Sequence, residues 1–188
     1  MGQRPTPRTA HSRPIVVSPR PRRTPDHILI TGASRGIGRA IAEGLAARGA
    51  AVAINYRGNK AAAEDVVNTI TAAGGRAVAV PGDVSDLAAV PRMFDQAEAE
   101  LGPLDIVVSN AAIVINKPFA DYTLEDYQDT FDTNTRGAFL VLQQAAARVR
   151  ENGRIIAISS GGTRLLLTGT TAASWVTAQN IGAGGGVM

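Results

Sequence analysis

A glycine-rich turn between an apolar strand and an amphipathic helix limits the possible folds of this chain more than any other sequence feature. The segment "TGASRGIG" covers residues 31–38, between the apolar run "HILI" and the helical pattern "RAIAEGLAARG". Gly32 permits a tight turn, Gly36 lets the backbone approach a phosphate, and Gly38 lets the helix pack closely on the strand. The free N–H groups and positive dipole of that helix predict a pyrophosphate site. The alternative is a glycine turn without a ligand.

Strand and helix patterns alternate from Asp26 onward, which indicates the fold class. Short apolar runs predict five strands, at residues 27–31, 51–55, 76–80, 104–109 and 154–159. This alternation predicts an α/β fold with a doubly wound, Rossmann-like parallel sheet, incomplete at its C-terminal side. In such sheets the ligand crevice lies at the carboxyl ends of the strands, so segments that follow strands are the candidate site residues.

The helical patterns lead to three more detailed expectations. The first helix is expected to bury one face, made of Ile37, Ala40, Ile41 and Leu45. Ser85 is expected to cap a helix from Asp86 to about Leu101. One long helical region is expected to start at Thr123 and to stop at Gly153.

Composition divides the chain into three parts. Residues 1–25 hold six arginines, six prolines and no acid, which predicts a disordered basic extension; a transit peptide and a nucleic-acid arm are the alternatives. Residues 26–170 are expected to form the nucleotide-binding domain. Residues 171–188 are expected to be a divergent, flexible tail, since they end in the glycine-rich run "NIGAGGGVM".

Charge and residue types exclude several classes of function. The first 25 residues hold six of the 19 basic side chains and none of the 16 acidic ones, so the rest carries 13 against 16, a net charge of −3. This balance gives no electrostatic case for nucleic acid. The absence of cysteine excludes disulfides and thiolate catalysis, and it fits a cytoplasmic location. Neither a metal-ligand cluster nor an apolar run of about 18 residues is present, so we predict no metal and no membrane span.

Five segments of the chain resemble motifs of the classical short-chain dehydrogenases/reductases, in particular 3-oxoacyl-carrier-protein reductases, and they occur in the same order as in that family. The glycine turn is similar to that family's cofactor loop, and the resemblance covers residues 26–170. The other four segments follow in the family's order: "GDVSD" at 82–86, "SNAAI" at 109–113, "TNTRGAF" at 133–139 and "IAISS" at 156–160. The resemblance implies an oxidoreductase that interconverts a ketone and a secondary alcohol, with a small-molecule or 3-oxoacyl substrate, and a homo-oligomer.

The resemblance also implies roles for individual residues. Asn134 and Ser160 match the family's catalytic asparagine and serine. Asp83 has an alternative role as a turn residue, and Asn110 has one as a partner for backbone groups at the end of its strand. The implied cofactor-binding residues are Gly32, Ser34, Arg35, Gly36, Ile37 and Gly38 in the loop, Asp83 and Val84 at the adenine, and Asn110, Ala111 and Ala112 beside the nicotinamide ribose.

The choice of cofactor depends on the residues that follow the second strand. An acid there would bind the ribose 2′-OH of NAD and repel a 2′-phosphate. This chain has Tyr56 and Arg57 instead, with Arg35 in the glycine loop. Guanidinium groups bind phosphate well, so NADP(H) is predicted over NAD(H). The alternative is that Arg57 is simply solvated at the end of the strand.

The proton-transfer residues of the family are missing from their expected positions. The family places a tyrosine about thirteen residues after the serine and a lysine one helical turn later. The positive charge of this lysine lowers the pKa of the tyrosine. Those positions hold Ala173 and Thr177, and every tyrosine and lysine of the chain precedes Ser160. Two explanations stay open: a truncated or frame-shifted relative, or a divergent protein that binds the nucleotide without redox chemistry. In either case we expect little activity from the chain by itself.

Overall fold

The computed structural model describes residues 26–159, which form one parallel sheet with helices on both faces. This arrangement confirms the doubly wound, Rossmann-like fold. The strands are β1 His27–Ile30, β2 Ala51–Tyr56, β3 Arg76–Pro81, β4 Ile106–Ser109 and β5 Arg154–Ala157. The helices are α1 Gly36–Ala46, α2 Lys60–Ala72, α3 Ala89–Leu101, α4 Leu124–Phe131 and α5 Ala138–Arg148, with a 3₁₀ turn Phe119–Asp121 and a π-helical turn Asp132–Gly137.

The order of the strands sets the position of the ligand crevice. The sheet has the order β3-β2-β1-β4-β5, and every pairing is parallel. The chain moves outward from β1 to β3 and then crosses back to β4 on the other side of β1. Loops that leave β1 and β4 therefore diverge at the carboxyl edge, at the switch point where α/β sheets bind ligands.

Two hydrophobic clusters, one on each face of the sheet, make up the core. Ile28 and Ile30 of β1 pack with α1 and α2, whereas Leu29 packs on the other face with α3 and α5. Phe94 of α3 is fully buried in this second cluster. All six residues of β2 are buried, because helices cover both of its faces.

Helix α1 buries a different face from the one expected. Gly38, Ala42 and Ala46 are buried, while Ile37 is 65% exposed. Small side chains let the helix lie close to the sheet, and the geometry of the glycine turn fixes which side faces inward. The apolar pattern alone therefore gave the wrong face at Ile37 and Ala40, although Ile41 and Leu45 do pack at the margin of the core.

The expected cap at Ser85 is wrong. The backbone N–H and the hydroxyl of Ser85 both donate to Asp83 Oδ1, at 2.9 and 2.7 Å. Asp86 Oδ1 then accepts from the Ala88 N–H at 2.7 Å, and α3 starts only at Ala89. Two successive side-chain turns therefore occupy the segment that was expected to be the first turn of the helix.

The long helical region expected from Thr123 is interrupted and ends early. Thr123 and Asp126 form a capping box at the start of α4, as the sequence position suggests. The π-helical turn then separates α4 from α5. Helix α5 ends at Arg148 because Val149 is extended and the Arg150 N–H donates to Leu104 O at 3.0 Å, which leads the chain toward β5.

Candidate functional site

The three glycines of the loop after β1 have distinct geometries. Gly32 has φ +63°, and a Cβ there would lie 2.9 Å from Ala111 Cα. A Cβ on Gly38 would lie 2.6 Å from both Gly32 O and Asn110 Nδ2. Gly36 has φ +55° but faces open space, with no atom within 4 Å of a Cβ. Packing therefore requires glycine at Gly32 and Gly38. At Gly36 the backbone borders open space at the start of α1, and this space is called the cradle below.

The N-terminus of α1 lies beside this cradle without a side-chain cap. Arg35 is the N-cap residue, with an extended backbone, and its exposed side chain makes no capping hydrogen bond. The first turn of the helix contains no acid. Its first N–H groups and the positive end of the dipole are therefore available to an anion.

Asn55 fixes the glycine loop from the end of β2, a role that the sequence analysis missed. Its side chain is buried, and Oδ1 accepts from the Gly32 N–H at 3.2 Å. Its Nδ2 donates to Val80 O at 3.2 Å and to Gly82 O at 3.0 Å. An amide that ends an otherwise apolar buried strand is the sequence signal that could have identified this residue.

Thr31 and Asn110 join the glycine loop to the end of β4. The Thr31 hydroxyl accepts from the N–H groups of Asn110 and Ala111, at 2.9 and 3.0 Å. Asn110 Nδ2 donates to Thr31 O at 2.9 Å and to Gly32 O at 3.3 Å. Asn110 thus satisfies backbone groups, as its alternative role required. Its contact with a nicotinamide ribose stays a prediction, as do those of the partly buried Ala111 and the exposed Ala112.

The last residue of β2, Tyr56, and the residue that follows it, Arg57, differ in their accessibility. Tyr56 is 8% exposed and packs in the core cluster with α1 and α2, so it offers little side-chain surface to a ligand. Arg57 is exposed, like Arg35 in the glycine loop, and Ser34 is partly buried. The side chains available to a cofactor phosphate near the end of β2 are therefore the two arginines and not Tyr56.

The loop after β3 is held by its own turn and by the π-helical turn. Asp83 accepts the two Ser85 hydrogen bonds described above, which agrees with its alternative role in a turn. Val84 is 5% exposed, and its Cγ2 would lie 2.9 Å from a Cβ on Gly137. Contacts of Asp83 and Val84 with an adenine stay predictions.

Asn134 lies in the π-helical turn and binds the loop after β4. Its Oδ1 accepts from the Ile113 N–H and its Nδ2 donates to Ile113 O, both at 2.8 Å. Arg136 in the same turn pairs with Asp132 at 2.9 Å and donates to Ser85 O at 3.2 Å. The π-helical turn therefore contacts the loops after both β3 and β4. Ser160, Ala173 and Thr177 lie outside the described residues.

The family model described as short chain dehydrogenase matches residues 26–173, which include this whole arrangement. The chain belongs to the short-chain dehydrogenase family. The 3-oxoacyl-carrier-protein subtype suggested by the motifs is not specified by this match.

Curated relatives of this chain include a hydroxynaphthalene reductase-like protein and a versicolorin reductase. The chain is 45% identical over 132 residues to the hydroxynaphthalene reductase-like protein Arp2 of Metarhizium majus, covering 70% of this chain and 49% of that protein. It is 47% identical over 132 residues to the versicolorin reductase stcU of Emericella nidulans, covering 70% of this chain and 50% of that protein. The chain thus spans about half the length of the curated relatives it matches.

Solved short-chain dehydrogenases share the fold. A dehydrogenase/reductase from Sinorhizobium meliloti is 36% identical with a TM-score of 0.77, covering 81% of this chain and 60% of that one. A short chain dehydrogenase from Burkholderia cenocepacia, in complex with NADP, is 37% identical with a TM-score of 0.77, covering 83% of this chain and 64% of that one.

The residues of this chain fit a phosphorylated dinucleotide. The cradle at Gly36 is open, the α1 N-terminus is uncapped, and Arg35 and Arg57 are exposed. No carboxylate follows β2 where it would repel a 2′-phosphate. Across residues 26–159, no group of His, Asp and Glu side chains is arranged to hold a metal ion, and no helix has the length and apolarity needed to cross a membrane.

Proposed function

We propose that this chain binds NADP(H) across the carboxyl edge of the sheet, as part of an oxidoreductase that interconverts a ketone and a secondary alcohol. The observation that carries the proposal is the open backbone at Gly36, which lies beside the uncapped N-terminus of α1. A pyrophosphate there would receive backbone hydrogen bonds and the favourable field of the helix dipole.

The proposed preference for NADP(H) depends on the two exposed arginines. Within residues 26–159, no carboxylate pairs with Arg35 or Arg57, unlike Arg39, which pairs with Glu43 and Asp65 at 2.7 Å each. Either guanidinium is suited to a 2′-phosphate, which it can bind through two parallel hydrogen bonds. The Burkholderia cenocepacia relative, solved with NADP, is consistent with this choice.

The redox chemistry is divided between the cofactor and the chain. The nicotinamide of a bound cofactor supplies or accepts the hydride. Ser160 is proposed to donate a hydrogen bond to the substrate oxygen, by its resemblance to the family's serine. The side-chain amide of Asn134 bonds to Ile113 through both its oxygen and its nitrogen and so holds the loop after β4, while its catalytic role stays a prediction.

A second candidate function is NADP(H) binding without turnover. Reduction of a carbonyl requires a proton at its oxygen, and the family uses a tyrosine for this step. Ala173 occupies the expected position, and it has no proton to transfer. For the whole protein we also propose a small carbonyl or alcohol substrate, in particular a 3-oxoacyl group. A homo-oligomeric assembly and a cytoplasmic location are part of the same proposal.

Fluorescence titration with NADPH, followed by a ketone-dependent oxidation assay on the same sample, tests the proposal. Binding with turnover supports the oxidoreductase. Binding without turnover supports the second candidate. If NADPH does not bind at concentrations up to about 1 mM, a range that covers even weak cofactor sites, both candidates are wrong.

A further inference from the structure

The loop between β4 and α4, residues 110–123, is attached to the helical segment that follows it at two points, and a third contact braces the loop internally. Asn134 binds both backbone groups of Ile113. The Tyr122 hydroxyl donates to Ile115 O, two residues further along. Lys117 then forms an ion pair with Asp126 of α4. The loop is therefore fixed along most of its length despite having almost no regular secondary structure.

Lys117 and Asp126 form the most distinctive of these attachments. Asp126 Oδ2 also accepts from the N–H and the hydroxyl of Thr123, at 2.7 and 2.8 Å. Lys117 Nζ lies 5.4 Å from the centre of the Tyr122 ring, within reach of a cation–π contact. The side chains of Lys117 and Asp126 are only 30% and 18% exposed. The capping box is complete with Thr123 and Asp126 alone. The ion pair with Lys117 is therefore not needed to cap α4, and its effect is to connect the loop to this helix.

The start of the loop defines the part of the site that it borders. Asn110 is bonded to Thr31 and Gly32 of the glycine loop. A dinucleotide bound at a switch point spans both halves of the sheet. Its adenosine half would lie toward β2 and Arg57, so its nicotinamide half would lie toward β4 and this loop. Val114, between the two anchored backbone groups, is 76% exposed and offers apolar surface there.

We infer that Lys117 is a positioning residue for the nicotinamide half of the cofactor, because it tethers the loop between β4 and α4 to Asp126 of α4 and contacts the Tyr122 ring within the loop. This inference rests on the proposed function. The site that it serves is separate from the arginines that would bind the 2′-phosphate, so loss of the tether affects one half of the ligand and not the other.

The experiment compares the affinities of full-length variants for NADPH and for adenosine 2′,5′-bisphosphate, which lacks the nicotinamide half. Lys117→Met removes the charge and retains the apolar stem. It is expected to weaken NADPH binding by about fivefold, as loss of one ion pair and one cation–π contact implies, and to leave adenosine bisphosphate binding within about twofold. Lys117→Arg retains the charge and is expected to recover most of the affinity. Lys60→Met is the matched control, because Lys60 is 70% exposed and pairs with Glu64 on α2.

Each outcome bears on a different proposal. If the unchanged chain binds neither ligand, the proposed function is wrong and this inference falls with it. If the chain binds both ligands but Lys117→Met weakens them equally, or weakens neither, only the inference about Lys117 is wrong. Amide hydrogen exchange across residues 113–117 of the free chain gives a second measurement. We expect it to be faster in Lys117→Met, and an unchanged rate would also overturn the inference.

Discussion

The amide of Asn134 pairs with both backbone groups of Ile113 through two hydrogen bonds of 2.8 Å, across 21 residues of sequence. Within residues 26–159, no strand pairs with Ile113, so its N–H and C=O join no ladder there. The asparagine takes the place of such a strand. The π-helical turn that carries it connects this loop to the one after β3 through Arg136 and Ser85.

Asn134→Ala is expected to destabilise the chain by about 1–3 kcal/mol, because it leaves two partly buried backbone groups without partners. Urea unfolding measures this change. Asn68→Ala is the matched control on the exposed face of α2, where a substitution is expected to cost less than about 0.5 kcal/mol. Equal midpoints for the two variants would contradict the bracing role of Asn134.

Gly36 and Gly44 give a matched pair of glycine-to-alanine substitutions. Neither added Cβ would meet an atom within 4 Å, but Gly36 has φ +55° whereas Gly44 lies within α1. Gly36→Ala is expected to cost about 1–2 kcal/mol in backbone strain and to abolish NADPH binding, because its methyl group fills the cradle. Gly44→Ala is expected to stabilise the helix by about 0.5–1 kcal/mol. Undiminished NADPH binding by Gly36→Ala would show that the phosphate site is elsewhere.

Two carboxylates with lowered pKa values predict how stability depends on pH. The Lys117 ammonium, followed by hydrogen bonds from Thr123, lowers the pKa of Asp126 to about 2. For Asp105, burial by itself would raise the pKa. The His27 N–H and the Arg150 guanidinium outweigh it, so the pKa of Asp105 is lowered as well. Both groups bind protons less tightly in the folded chain than in the unfolded one.

Their contribution to stability is therefore complete above the unfolded pKa of about 4 and decreases as the pH falls toward the folded values. Thermal unfolding midpoints are expected to be insensitive to these two groups between neutral pH and about pH 5, and to decline below about pH 4. Asp126→Asn is expected to decline less steeply in that acidic range than the unchanged chain. Parallel curves would contradict the lowered pKa of Asp126.

The fold could be predicted from the sequence because its signals are local. Apolar runs, glycine stops and the turn "TGASRGIG" gave all five strands to within two residues at each end. The errors occurred where contacts distant in sequence override the local pattern. The face of α1 depends on how closely Gly38 approaches Asn110 and Gly32, which periodicity does not reveal.

The functional roles that the motifs assign to the glycine loop and to Asn134 stay predictions. The motifs did not single out the buried amide of Asn55 or the hydroxyl of Thr31, which hold the loops of the candidate site in place. Their roles arise only when the ends of β1, β2 and β4 lie side by side. The same holds for Lys117, whose partner Asp126 is recognisable from the sequence only as part of a helix cap.

Isothermal titration of the chain with NADPH and with NADH, in the same low-salt buffer, measures the proposed preference for NADP(H). We predict that NADPH binds at least about tenfold more tightly, since one charged hydrogen-bonded contact to the 2′-phosphate contributes about 1.5–3 kcal/mol. Arg57→Ala should lose most of this preference, whereas Arg48→Ala, at an exposed position after α1, should retain it. Equal or tighter binding of NADH by the unchanged chain, or no binding of either nucleotide, would contradict the proposed NADP(H) site.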